Sequence, residues 1–446
     1  MFNTSLSQYA SPAAHAIRGH IVTFNGDPFY QPSDAVVVEI TDGLILVREG
    51  IIQAVGPYLD LRGQLGDDVP VTHYPHAIIT AGFIDTHIHY VQTPIIASYG
   101  KKLIDWLNHY TFPDEARFAS PDFAADVARV FFDELLRNGT TSALVFCAVF
   151  SESVDAFFTE AMRRHMRMIG GKVLMDRNAP QAVLDTAQSG YDASKALINK
   201  WHGKARCSYA ITPRFAPTST ESQLEAAGAL HHEYPDTLVQ THVSENVDEV
   251  AWVRSLFPER QGYLDVYDHA ELLGPHTVLA HGVHLTDAER ERCSETGTAL
   301  AHCPTSNLFL GSGLFHMGTS KTPTHPIRVG LGTDIGAGTR FSILETMGEA
   351  YKVGELTSYS IDAIKLFYLA TLGGAEVLNV ADKVGSIAVG KEADLVVLDT
   401  QATPALAYRS KQVSSLPEQL FLLAIMGDDR AVQATYIGGE LAYSRE

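Results

Sequence analysis

The sequence predicts an α/β fold: a (β/α)8 (TIM) barrel accompanied by a small β-sandwich domain formed by both chain termini. Three observations lead there. Strand-sized apolar runs recur through the middle of the chain, helical patterns lie between most of them, and both ends are β-rich. The expected division assigns 1–76 and 385–446 to the β-sandwich and 77–384 to the barrel. With 446 residues, 46% of them hydrophobic, the chain can bury the large core this requires.

Near the amino end, "AVVVEITDGLILVREGIIQAVG" alternates apolar and polar residues and is punctuated by "TDG" and "EG". The tail segments "GSIAVGKEADLVVLDT" and "AVQATYIGGELAY" have the same character, so the two ends are expected to meet in one small domain. Between them, "AIITAGFIDTHIH", "TSALVFCAVF", "MIGGKVLMD", "CSYAITPRF", "TLVQTHVSE", "TVLAHGVHL", "TALAHCPTS" and "RVGLGTDIG" read as buried strands. The stretch "SPDFAADVARVFFDELLRNG" reads as a helix that Ser120 caps and Gly139 ends. In it Phe123, Val127, Phe131, Glu134 and Leu135 fall on or near one face, apolar apart from the glutamate. Roughly eight strand-helix units over about 300 residues favour a closed barrel over an open sheet. No G-x-G-x-x-G follows a strand, which argues against a dinucleotide site.

Composition narrows the function. A formal charge of −19 repels nucleic-acid phosphates and anionic lipid, leaving a small neutral ligand as the better fit. Cys147, Cys207, Cys293 and Cys303 lie far apart with no C-x-x-C pair, so they read as reduced and mostly buried. The longest apolar runs are strand-sized, and "MFNTSLSQYASPAAHAIRGH" has no basic region followed by an apolar core. A soluble, unexported protein is expected.

The chemistry-bearing residues sit at strand ends. In a strand, residues two apart share a face, so His87 and His89 of "GFIDTHIHYVQ" can place two ring nitrogens side by side. From H-x-H alone, a metal pair and a solvent-facing loop are both open. Three further strand ends add "VQTHVSEN" with His242, "VLAHGVHL" with His281 and "VGLGTDIGAG" with Asp334. In a barrel such ends converge on one face. His87, His89, His242 and Asp334 then supply three nitrogens and a carboxylate for one divalent ion, with a position left for water. Glu245, three residues past His242, is either a solvated glutamate in the exposed helix start "SENVDEV" or the group that moves the water's proton. His281 either orients water and the developing oxyanion or adds a further nitrogen ligand.

The set "GFIDTHIH", "THVSEN", "LAHGVHL", "AHCPTSNLFLGSG", "GLGTDIGAGT" and "GSIAVGKEADLVVLD" resembles the amidohydrolase superfamily over nearly the full chain. Binuclear members generally carry a carboxylated lysine at the end of the fourth strand. Here "YAITPRFAP" offers Arg214, so the resemblance implies one zinc per chain, although the same ligands accommodate iron or manganese. Within the superfamily, "YGKKLIDWLNHYTFPDEARF", "LLRNGTTSALVF", "KVLMDRNAP", "AITPRFAPTS" and "HVSENVDEVAWV" resemble the guanine deaminase family. The departures are Ala81, where a proline usually precedes "GF", and Val91 beside Gln92; neither removes a functional side chain.

That resemblance implies hydrolytic deamination of guanine to xanthine and ammonia, with Glu245, His281 and Asp334 catalytic, in a cytoplasmic homodimer. It also implies that Gln92, Arg214 and Phe215 line the purine pocket. Arg214 is a permanent fork donor suited to a carbonyl and a neighbouring ring acceptor, Gln92 offers a donor and an acceptor, and Phe215 can meet the ring face. Trp106 belongs to the pocket wall or to helix packing. Two other readings stay open: an aminohydrolase of an oxidised guanine, a pterin or a triazine, and a silent scaffold that keeps the barrel for partner binding. The small zinc-deaminase fold is excluded, because "HCPTS" has cysteine and proline in the wrong order and no second cysteine follows.

Overall fold

The computed structural model describes residues 14–66, 69–99 and 103–445. Most of the amino-terminal stretch read for a leader, and 100–102 of "YGKKLIDW", lie outside the described residues. Eight parallel strands form the main sheet: Phe83–His89, Thr140–Phe146, Arg167–Gly171, Cys207–Pro213, Leu238–Val243, Thr277–His281, Ala299–His302 and Val329–Leu331. Each pairs with its successor, and helices such as Pro121–Arg137, Ser151–Arg163, Ala187–Trp201 and Glu221–Glu233 connect them. Crossovers of this kind cover a parallel sheet on its outer face. The ring closes where Thr86 Oγ1 donates to the Leu331 carbonyl at 2.9 Å and the Asp334 N–H donates to the His87 carbonyl at 2.9 Å.

The first expected strand divides in two. "AIITAGFIDTHIH" supplies the end of Val71–Ala81, which belongs to the terminal sheet, and then Phe83–His89 of the barrel. Gly82 makes the passage, its N–H donating to the Asp394 carbonyl; a Cβ there would stand 2.3 Å from Thr141. Helix Pro121–Arg137 begins as expected, with Ser120 accepting from the Phe123 N–H and Gly139 in the left-handed region at φ 77°. Its buried face is Ala124, Val127, Ala128, Phe131, Phe132, Leu135 and Leu136, which keeps the expected Val127, Phe131 and Leu135 and leaves Phe123 and Glu134 half-buried.

The terminal strands form a seven-stranded sheet from both ends of the chain, in the order Glu440–Ser444, Val432–Ile437, Leu395–Asp399, Val71–Ala81, His15–Phe24, Val37–Arg48, Ile51–Pro57. The sheet curls over its own apolar core of Ile17, Ile45, Ile79, Leu395, Val397 and Tyr436. The turn at Gly50 thereby meets the segment joining the opposite half, the Ala393 N–H donating to the Gly50 carbonyl at 2.8 Å. "TDG" is no turn: Asp42 and Gly43 lie inside strand Val37–Arg48, where Asp42 pairs with Arg18 at 2.7 Å. "EG" is one, with Glu49 and Gly50 both at positive φ, the backbone a tight hairpin demands. Arg167 and Arg206 of the barrel bind Glu392, and Arg206 also binds Asp394, tying the sheet to the barrel beneath the third and fourth strands. All four cysteines are free and buried. Among the described residues no helix is long and apolar enough to cross a membrane.

Candidate active site

The carboxyl ends of the first, fifth, sixth and eighth barrel strands bring His87, His89, His242, His281 and Asp334 into one buried cluster. His87 Nε2 lies 3.1 Å and His89 Nε2 3.3 Å from Asp334 Oδ1, and His281 Nε2 is 3.8 Å from Asp334 Oδ2. His89 Nε2 and His242 Nε2 are 3.2 Å apart. One ligand atom each from His87, His242, His281 and Asp334 falls within 4.8 Å of the others, with His89 alongside. Ser244, His281 and Asp334 all have positive φ, at 49°, 71° and 51°. A non-glycine residue there costs about 1–3 kcal/mol, a strain tolerated where strand ends must aim a functional side chain inward.

The surrounding hydrogen bonds choose the tautomers. His242 Nδ1 donates to the Arg214 carbonyl at 2.7 Å, and His281 Nδ1 donates to Asn307 Oδ1 at 2.8 Å. Each ring therefore turns an Nε2 lone pair toward the cluster. Burial keeps the His89 imidazole neutral, pushing it down to about 3, and holds His87 and His242 below the usual histidine range. Burial alone would raise the Asp334 carboxyl, but His87, His89 and His281 outweigh it and hold it well below the usual carboxylate range. The Nε2 atoms of His87 and His281 are buried without a hydrogen-bond partner. Ring nitrogens without a hydrogen-bond partner beside a carboxylate make a donor set that fits a divalent cation.

Glu245 borders this cluster, with Oε2 3.6 Å from His281 Nε2. It is no solvated glutamate. It is 4% exposed, and Ser312 Oγ donates to its Oε1 at 2.9 Å. Burial and then the Asp334 charge push its carboxyl up to about 8, against the Ser312 bond, so it can gain and lose a proton near neutral pH. The expected exposed helix start is only partly so: Val247 and Asp248 are exposed, but Glu249 is buried. Glu249 accepts from the N–H groups of Glu245 and Asn246 at 2.9 and 3.1 Å and from Tyr263 at 2.6 Å, fixing the turn that carries Glu245.

Gln92, Arg214 and Phe215 line the same pocket as His89, His242, Glu245, His281 and Asp334, and Trp106 forms part of its wall with Leu103 and Leu107. Arg214 Nη1 donates to Glu115 Oε2 at 2.7 Å, an ion pair buried on both sides. Removing one partner from such a pair typically costs about 3–5 kcal/mol. The Arg214 guanidinium stands over the Phe112 ring at 5.4 Å. Arg214 thus faces two ways: its side chain enters the pocket while its carbonyl orients His242.

Among the supporting side chains that escaped the sequence reading are Asp85, Glu115, Asn307 and Ser312. Asp85 accepts from Thr333 Oγ1 at 2.5 Å and from the N–H groups of Thr333 and His87 at 3.1 Å, tying the His87 strand to the Asp334 loop. Glu115 lies in a helical stretch running from Leu103 to Ala119, whose Leu107–Thr111 part is a wider π turn of the kind frequent at functional sites. The available signal was their position in quoted motifs: Asp85 in "GFIDTHIH", Glu115 in "FPDEARF", Asn307 and Ser312 in "SNLFLGSG".

The family model described as the amidohydrolase family matches residues 78–442. The guanine deaminase of Escherichia coli (strain K12) is 50% identical over 406 residues, covering 91% of this chain and 92% of that protein. A solved E. coli guanine deaminase superposes with a TM-score of 0.93 at 46% identity, over 98% of this chain and all of that one (100%). The guanine deaminase of C. acetobutylicum, solved with guanine bound in its active site, superposes with a TM-score of 0.86 at 29% identity, over 97% of this chain and 100% of that one. The chain therefore belongs to the amidohydrolase family and, within it, to the guanine deaminases.

Proposed function

We propose that the protein hydrolyses guanine to xanthine and ammonia, in keeping with relatives named guanine deaminases. The observation that carries this reading is a single pocket lined by Glu245, by the imidazoles and Asp334 that could hold a cation, and by Arg214. His87, His89, His242 and Asp334 are the residues that would hold one ion, with His281 joining them or serving the water. Zinc is the ion proposed, and once bound it supplies a Lewis acid that makes water nucleophilic near neutral pH. Glu245 takes the proton of the attacking water and delivers it to the ring nitrogen beside the amine-bearing carbon. It then assists the amine's departure as ammonia. With its Nδ1 proton committed to Asn307, His281 offers an Nε2 lone pair that orients the water by accepting its hydrogen. Arg214 donates toward the purine carbonyl and the adjacent ring nitrogen, the pairing by which arginine reads guanine elsewhere. Gln92 and Phe215 complete the ring's surroundings.

Ammonia release from guanine, an oxidised guanine, a pterin and a triazine tests the reading. Guanine is expected to show the highest kcat/KM by at least about tenfold. A higher value on another ring, or no ammonia from guanine, overturns it. We further propose a homodimer, which light scattering checks, and residence in the cytoplasm, in keeping with four free, buried cysteines. The domain division is proposed as 1–76 with 385–446 against 77–384, with the first boundary moved to Gly82 because strand Val71–Ala81 belongs whole to the terminal sheet.

A further inference from the structure

We infer that Glu115 is a positioning residue that sets the hydrogen-bonding pattern the pocket offers to its purine, an inference that rests on the guanine reading above. Glu115 is 1% exposed, and its two oxygens face the two polar side chains assigned to the ring edge. Arg214 Nη1 donates to Oε2 at 2.7 Å, and Gln92 Nε2 donates to Oε1 at 3.4 Å. An ionised carboxylate only accepts, so it decides which way the Gln92 amide turns: the NH2 faces Glu115 and the carbonyl faces away. The carbonyl lies against Gly336, where an added Cβ would stand 2.6 Å from Gln92 Oε1, so the backbone there leaves room for this orientation.

The same carboxylate holds one corner of the Arg214 guanidinium, whose other N–H groups have no further side-chain partner among the described residues. A fork pinned at one corner loses less freedom when it meets a ligand, which is how preorganisation raises affinity. With Gln92 lining the pocket and its NH2 held by Glu115, the side left for a ligand is the carbonyl, so the pocket would offer arginine donors together with a glutamine acceptor. Guanine answers with its carbonyl and N7 as acceptors and a ring N–H as donor. A purine with an amino group in place of that carbonyl would set donor against donor.

The test uses the metal-loaded protein with two probes, guanine and 7-deazaguanine, which has carbon in place of N7. In Glu115→Gln the volume is kept, but the new amide no longer dictates the orientation of Gln92 and no longer pairs ionically with Arg214. The expected result is a fall in kcat/KM for guanine of about 10- to 100-fold, mostly through KM, with a fall at least about threefold smaller for 7-deazaguanine, which keeps the carbonyl and ring N–H but offers the arginine no N7. The preference for guanine over the deaza probe therefore narrows. Glu115→Asp, which keeps the charge but draws it back from Gln92, is expected to lie between and serves alone if the glutamine variant is insoluble. Equal losses on both probes, a loss confined to kcat, or no change in either variant overturns the inference. Absence of turnover of guanine by the unsubstituted protein would instead sink the functional reading, so the two failures are distinguishable.

Discussion

Glu245→Gln is expected to lower kcat on guanine by about a thousandfold while leaving the metal content unchanged. The magnitude follows from what the substitution removes. The amide fills the same space, and it can still accept the Ser312 hydrogen bond at Oε1, so the loop stays in place. What disappears is a carboxyl whose affinity for protons, raised to about 8 by burial and by Asp334, lets it take a proton and give it back within one cycle. Both the attack and the departure of ammonia need that transfer. The loss should therefore appear in kcat and kcat/KM alike, the pattern of an interaction made only in the transition state. Activity within about tenfold of the original would remove Glu245 from the role.

Asp334→Asn is expected to reduce bound metal to below about one-tenth of an equivalent and to abolish turnover in step with it. Among the described residues Asp334 is the one carboxylate with oxygens within 3.8 Å of three imidazoles, His87, His89 and His281. Its ionised form supplies the negative charge that a divalent ion needs in a pocket of otherwise neutral donors. Asparagine keeps the shape and the backbone N–H that reaches the His87 carbonyl, so barrel closure should survive. Metal analysis together with circular dichroism separates these outcomes. Full metal content in a folded, inactive variant would assign Asp334 to proton handling alone.

What the sequence showed and hid divides along physical lines. His87, His89, His242, His281 and Asp334 were legible because each ends an apolar run, and a parallel barrel gathers strand ends irrespective of their distance along the chain. Gln92, Arg214 and Phe215 came from resemblance alone; as bare residues after strands they had no signature. Asp85, Glu115, Asn307 and Ser312 stayed hidden because their partners are remote in sequence: Glu115 meets Arg214 across 99 positions and Ser312 meets Glu245 across 67. Periodicity reports which face is buried, and no pattern within one segment reports such a partner. The merging of two strands in "AIITAGFIDTHIH" has a similar origin. Both pieces are apolar and both are buried, and only Gly82, set against Thr141, marks where the chain changes sheets.

The central claim is that one ion, held by the strand-end cluster, and Glu245 beside it together deaminate guanine. Stepwise addition of zinc to the metal-stripped protein, with xanthine formation followed at each step, tests it most directly. Activity should rise from zero in proportion to added zinc and break at about one equivalent per chain. A break at two equivalents, or undiminished xanthine formation by the metal-stripped protein, would contradict it.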